Sequence, residues 1–444
     1  MLNYLIFLLA TISLSDGCLK IGYSQPPACA CKALGLTSSN LKDYVKDSSQ
    51  YYQKLTAGFV RAPVVSVDDC AVNMYCEGGA ELYVFGTTEQ EGYFGEYALD
   101  GFCNAYAQSW QVFANEELKS FKELNGVCLQ KPLPDVRCSP TDKATFLFAQ
   151  STDVVTRDAS KAMHDLIYSG VTDNAKTTRF QTIGYVRFDM KTEEEIVYYN
   201  GWRDVQNMMP PLIERPQGLD SIDGGSDVLK MIERFIDTSP QTACGAYIQI
   251  MMSRYPEETD IAFLVEKLRA YRIYLTIYIM TNPVAGGGSH PETMYELAMK
   301  TNGFCGHGSA DSGWAQQNVF ASYIIYAKNQ PIPAGTGTIT LPQLAIPTAG
   351  IYSIYLALQG PWDTDSFRNI DLTWSNTNSS SSSHYATSKE DIMGLQGRTY
   401  TGLFTTLDAV IYDFKLQYTY ASANTMLIRV MSNIPVSYWL PYVN

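Results

Sequence analysis

Four histidines, His164, His290, His307 and His384, are the candidates for general acid–base work in this chain. Two of them stand in glycine-rich stretches beside serines: GGGSH at Gly286–His290 and GHGSADSGW at Gly306–Trp314. A serine nucleophile needs a base in hydrogen-bond reach, and its sharp strand-to-helix turn reads Gly-x-Ser-x-Gly. Neither Ser309 nor Ser312 stands in such an elbow, so GHGSADSGW reads as a glycine-rich loop before the last helix of an α/β segment. GGGSH lacks the Gly-x-Gly-x-x-Gly spacing and follows the fifth strand-like run, so it reads as a loop leading into a helix rather than a phosphate cradle. His164 falls in a helical run and His384 in a serine-rich loop, while Glu193-Glu194-Glu195 and Glu257-Glu258 read as solvated turns. The expectation is a non-catalytic protein that takes no cofactor. The alternative is a secreted hydrolase using His290 or His307 with a nearby Ser.

The cysteines offer different chemistry. Eight of the ten precede residue 140 (Cys18, Cys29, Cys31, Cys70, Cys76, Cys103, Cys128 and Cys138), and Cys244 and Cys305 stand in the middle of the chain. Cys29-x-Cys31 is too tight for a zinc knuckle and no His lies near it, so an even, clustered count reads as disulfides. With the other eight gathered in a separate segment, Cys244 and Cys305 are expected to pair with each other. The opening run LNYLIFLLATISL is short for a membrane span and is followed by small residues, so residues 1–17 read as a signal peptide of a secreted, extracellular protein. No later segment suggests membrane insertion, and the net charge of −13 argues against nucleic acid or an anionic membrane surface as partner.

Three segments position these residues. Residues 18–140 hold most cysteines and turn-rich sequence such as CEGGAELYVFGTTEQEGYFG, which predicts a disulfide-rich, mainly β domain. Residues 141–328 alternate five strand-like runs (ATFLFAQ, FQTIGYVRFD, EEIVYYN, GAYIQIMMS, IYLTIYIM), most of them continuously apolar, with amphipathic stretches (ASKAMHDLIYSG, DVLKMIERFI, IAFLVEKLRAYR, PETMYELAMK, WAQQNVFASYIIYAK). That pattern predicts an α/β domain with a parallel sheet, whose functional face lies at the carboxyl ends of the strands. After QPIPAGTG, residues 329–444 lose the helical signals and show short strands, from TITLPQLAI to VSYWLPYV, expected as an antiparallel β-sandwich. SNTNSSSSSH at Ser375–His384 reads as a polar loop carrying the Asn378-Ser379-Ser380 sequon, which would make the protein a glycoprotein.

Two resemblances add to this reading. The spacing of Cys29, Cys31, Cys70, Cys76, Cys103 and Cys128, with DCAVNMYCEGGAELYVF, resembles the six-cysteine domain of secreted nematode proteins of unknown function; Cys18 and Cys138 are extra. The middle segment resembles a von Willebrand factor A-type, Rossmann-like domain. FLFAQSTDVV stands where that family carries Asp-x-Ser-x-Ser, GGSDVLKMIERFI where it carries Gly-Gly-Thr, and YIQIMMSRYPEETDI where a strand ends in Thr-Asp-Gly. Position by position, the metal-binding Asp, Ser, Ser, Thr and Asp of the family become Gln150, Thr152, Val154, Ser226 and Arg254. Both carboxylates are gone and a fixed positive charge replaces one, so the resemblance implies a degenerate metal-ion-dependent adhesion site that binds no divalent cation. Gln150, Thr152, Asp153, Ser226, Asp227 and Arg254 would form the binding face. Arg254 would need a carboxylate, with Asp153 the first candidate and Asp227 the second. The implied role is adhesion or recognition of an extracellular protein or glycan, in matrix or innate host defence; a structural coat component is a further alternative.

Overall fold

The structure is a computed structural model that describes residues 27–87, 90–114, 117–133, 136–154, 179–208, 223–238, 240–280, 288–308, 323–358, 360, 366–377, 382–393 and 399–442. The expected signal peptide, Cys18, the 159–170 helix with His164, Ser309, Ser312 and Asn378 lie outside the described residues. The chain divides into two compact units, Met1–Pro132 and Leu133–Asn444.

In the first unit, β1 (Lys32–Gly35) is followed by α1 (Leu41–Tyr44), α2 (Tyr52–Ala57), β2 (Val60–Arg61), β3 (Val64–Asp68), β4 (Ala71–Tyr75) and β5 (Glu81–Phe85). β6 (Glu91–Gly95), β7 (Leu99–Asn104), β8 (Ser109–Ala114), β9 (Glu117–Phe121) and β10 (Glu123–Leu129) complete it. One sheet runs β1-β10-β5-β6 with β2 beside β10, the other β3-β4-β7-β8-β9. Val72, Met74, Leu99, Trp110 and Phe121 form a core, and the Trp110 Nε1 donates to Lys32 O at 2.9 Å. Disulfides Cys29–Cys70, Cys31–Cys103 and Cys76–Cys128 use the six cysteines singled out above. A core this small gains stability from such crosslinks.

The second unit opens with β11 (Ala144–Ser151), β12 (Phe180–Phe188), β13 (Val197–Asn200), α3 (Trp202–Met208), α4 (Val228–Thr238), α5 (Pro240–Ala243), β14 (Tyr247–Met252), α6 (Ala262–Ala270), β15 (Tyr274–Met280), α7 (Glu292–Lys300) and β16 (Phe304–Gly308). Their sheet has the order β13-β12-β11-β14-β15-β16. β12, β11, β14, β15 and β16 pair in parallel, and β13 is antiparallel. Strands β11, β14, β15 and β16 are buried along their whole length because both faces of the sheet are covered there; all seven residues of β15 are buried.

β17 (Tyr323–Ile332), β18 (Gly335–Ala345), β19 (Gly350–Ala357), β20 (Phe367–Asn376), β21 (Ser382–Ser388), α8 (Lys389–Met393), β22 (Tyr400–Leu407), β23 (Ile411–Tyr420) and β24 (Asn424–Ser432) follow. They form two antiparallel sheets, β17-β24-β19-β22 and β18-β23-β20-β21. Alternation in β24 makes the first of these a middle layer. Met426, Ile428 and Val430 pack into the sandwich core, while Leu427 and Met431 join the core of the mixed sheet. The 141–328 and 329–444 segments therefore share apolar packing within one unit, and with its many strands the molecule is mostly β.

Several expectations are corrected here. Cys244 bonds Cys138, not Cys305, and Cys305 is a buried free thiol. Register aligns Cys305 with Ile277, and Ile277 with Ile250, which places Cys305 two strands from β14. Two strand spacings alone are about 9.6 Å, beyond the ~7 Å Cα limit of a disulfide. The 323–328 part of the expected last helix is strand β17, which also runs through the expected 328/329 boundary. A bulge between Ile324 and Tyr326 breaks the period-2 pattern there. Gly306–Gly308 belong to β16 rather than a loop: a Cβ on Gly306 would meet the Tyr400 ring at 2.7 Å, so close packing requires the glycine. Ser375 and Asn376 end β20, and Ser382–His384 begin β21, so both ends of the expected serine-rich loop are strand. No strand forms over 433–442, where VSYWLPYV was expected to make one.

Candidate functional site

Side chains from the carboxyl ends of β11, β12 and β14 meet loops that follow them. Ser151 closes β11 and Asp189 follows β12 directly, in the left-handed region at φ 63°. The Asp189 carboxylate is fully buried. It accepts from Ser151 Oγ at 2.6 Å, Ser226 Oγ at 2.7 Å and the Asp227 N–H at 3.1 Å. Thr152 Oγ1 donates to Asp189 O at 3.0 Å, and the Asp189 N–H donates to Asp227 Oδ1 at 2.7 Å. Burial pushes the Asp189 carboxyl up to about 7, against the two serine hydroxyls, which favour its charged form.

Arg254 stands just beyond β14. Its Nε donates to Asp153 Oδ2 at 2.8 Å, with the two side chains only 6% and 8% exposed, and a second guanidinium nitrogen donates to Gly224 O at 2.7 Å. Burial, the largest influence, lowers the Arg254 pKa, but the hydrogen bond and charge of Asp153 together with the charges of Asp189 and Asp223 offset it, and the net shift is upward. The Ser226 N–H and the Gly288 N–H both donate to Tyr255 O, at 2.8 and 3.0 Å. A Cβ on Gly288 would sit 2.3 Å from the carbonyl oxygens of Tyr255 and Pro256, so the third glycine of GGGSH lets two loops touch.

Of the six residues expected on this face, Thr152, Ser226 and Asp227 meet at Asp189, and Arg254 is joined to Asp153. Gln150 lies buried on β11 with its Oε1 accepting from Tyr185 OH at 3.4 Å. Asp227 is engaged with Asp189 rather than serving as the second carboxylate for Arg254. Asp189 was missed, although an Asp immediately after an apolar strand in FQTIGYVRFD was a readable sign of a carboxyl-end position. A hard dication does not fit: the carboxylates of Asp189 and Asp227 are engaged by the protein's own donors, and a guanidinium shares the site. Among the described residues no group of three His, Cys, Asp or Glu side chains is arranged to hold a metal.

The histidines take separate places. His307, in β16, faces Tyr255 OH at 3.3 Å, and burial lowers it to about 4, so it is neutral at pH 7. His290 Nδ1 lies 3.0 Å from Glu292 Oε1, and His384 Nδ1 lies 3.1 Å from Asp371 Oδ1 between β21 and β20.

Residues 331–433 match a family model described as Domain of unknown function (DUF7154). No curated protein matches the chain significantly. Solved structures with local likeness include a carbohydrate binding module of Cellvibrio mixtus lichenase 5A in complex with cellotriose, at 18% identity over 25% of this chain and 91% of that one, TM-score 0.16. The C-terminal module of a laminarinase from Zobellia galactanivorans is similar at 17% identity over 25% and 95% of the two chains, TM-score 0.17. A family 16 carbohydrate binding module matches at 12% identity over 24% and 73%, TM-score 0.15.

Proposed function

We propose that the chain is a secreted, non-catalytic binding protein whose mixed sheet is a degenerate von Willebrand A-like domain. In this reading the Arg254–Asp153 ion pair holds the carboxyl-end loops that a metal holds in that family. The observation that carries the reading is the enclosed 2.8 Å contact between these two side chains, beside the buried Asp189 cluster, at the carboxyl ends of parallel strands in the order β12-β11-β14-β15-β16. Four disulfides suit an oxidising, extracellular setting, and among the described residues no helix is long and apolar enough to cross a membrane.

Because the ion pair is enclosed, a partner docks on the rim rather than on the guanidinium. That rim exposes Asp223, Glu257, Glu258 and Asp260, so an extracellular protein or glycan with basic groups is the complementary partner. The test is an array of extracellular proteins and glycans probed with the full chain in Mg2+ and in chelator. The expected result is a partner retained equally in both and lost on Glu257→Lys/Glu258→Lys, which leaves the enclosed pair untouched. Retention that vanishes with chelator, or that survives the charge reversal, rejects the reading.

A further inference from the structure

The first unit carries a groove at the end of one of its sheets. β6 is the last strand in the order β1-β10-β5-β6, and its pairing with β5 slips by one residue between Tyr93 and Gly95. Gly95 is left-handed at φ 62°, and the Tyr97 N–H donates to Phe94 O at 3.3 Å. A bulge of this kind redirects the chain, so the strand ends and Glu96 and Tyr97 turn outward. With Glu81, Tyr93, Phe94 and Gly95 these two residues line an open groove of about 600 Å³, within the range of small-molecule sites.

Packing explains part of the aromatic surface here. Tyr83 is buried in the core under α2, with its ring centre 4.9 Å from that of Tyr51 and 4.9 Å from that of Tyr93. That account stops at the groove. Tyr93 stays 40% exposed and Tyr97 80% exposed. Among the described residues Tyr97 has no ring neighbour, and its hydroxyl has no hydrogen-bond partner.

The charges of the groove cancel. Glu81 accepts from Lys54 Nζ at 2.8 Å, from Tyr83 OH at 2.7 Å and from Tyr93 OH at 3.1 Å, and Glu96 Oε1 is paired with Lys131. Two carboxylates meet two ammonium groups, so the groove is neutral in a chain of net charge −13, and it offers a charged ligand little Coulomb energy. Hydrogen-bonding capacity remains. The Glu96 side chain is 55% exposed, its second oxygen can still accept, and the Tyr97 hydroxyl can both donate and accept. A ligand that fits is uncharged, carries several hydroxyls and has an apolar face. Its hydroxyls donate to the carboxylates in charge-assisted bonds, and its C–H face lies on the exposed rings.

We propose that this groove binds a neutral saccharide, with a sugar ring against Tyr97 and Tyr93 and its hydroxyls on Glu96 and Glu81. The site belongs to the first unit and does not depend on the reading of the carboxyl-end face of the mixed sheet.

Calorimetry with the full chain tests it, using neutral β-glucan, mannan and chitin hexasaccharides, with trilysine and a sulfated hexasaccharide as charged controls, at low and high salt. At least one neutral hexasaccharide binds, more tightly than either charged control and with an affinity that salt leaves unchanged. Tyr97→Ala weakens it at least about tenfold, the loss of one covered ring, and Glu96→Gln weakens it by about tenfold, the loss of one charged hydrogen bond. Both positions are exposed, so the circular dichroism spectrum and Tm stay those of the native chain. Tyr106→Ala, at a 76% exposed tyrosine beyond the other end of β7, leaves binding unchanged. No binding by any neutral hexasaccharide, tighter binding of a charged control, native affinity in Tyr97→Ala, or an equal loss in Tyr106→Ala overturns the proposal.

Discussion

Replacing Arg254 by Met leaves Asp153 buried with its main positive partner removed. The pair is 2.8 Å apart with side chains 6% and 8% exposed, so solvent screens it little. Breaking such a pair costs about 3–5 kcal/mol, mostly the cost of the stranded charge. For a unit of this size that lowers Tm by on the order of 10 °C. The second substitution Asp153→Asn removes the stranded charge, so the Arg254→Met/Asp153→Asn chain recovers at least about 2 kcal/mol relative to Arg254→Met alone. Chemical denaturation of the four proteins in the cycle, followed by fluorescence and by circular dichroism, measures the coupling. A loss under about 1 kcal/mol for Arg254→Met, or a double variant less stable than the single one, would refute the view that this ion pair organises the carboxyl-end loops.

Other outcomes follow from the same geometry. Chelator leaves the melting temperature unchanged, and Mg2+, Mn2+ and Ca2+ give no site-specific heat in calorimetry; a metal-dependent Tm rise would contradict the donor arrangement around Asp189. The folded-state pKa of Asp189 is raised from 3.8 to about 7, so the folded chain holds a proton that the unfolded chain releases. Its stabilising contribution is complete below the unfolded value and is lost as pH rises toward 7, up to about 4 kcal/mol in all; Asp189→Asn removes that slope, seen as a smaller fall in Tm between pH 4 and 7. The Cys138–Cys244 bridge spans 106 residues, worth about 4.7 kcal/mol in the chain-entropy model, so Cys138→Ser lowers the denaturation midpoint and peptide mapping of the native chain finds this pair. Cys305, buried and with its thiol pushed up by desolvation, resists alkylation until the second unit unfolds; rapid labelling of the native protein would show that β16 is open.

Local pattern made much of the framework legible. Continuous apolar runs marked β11, β12, β14 and β15, because strands buried on both faces tolerate few polar residues. Amphipathic spacing marked α4, α6 and α7. The acidic excess and the six clustered cysteines were plain from composition and spacing, and Arg254 with Asp153 was readable as a charge in need of a partner. What depends on distant segments meeting was not legible. Cys138 and Cys244 come together because the chain before β11 passes the amino end of β14, a relation without a sequence signal. The glycines of β16 look like a loop until the Tyr400 ring is set against them. β19 and β24 read as ordinary sandwich strands, yet alternate side chains serve two cores because their sheet lies between two others. Asp189 becomes the centre of the carboxyl-end cluster only when β11, β12 and the 223–227 loop close around it.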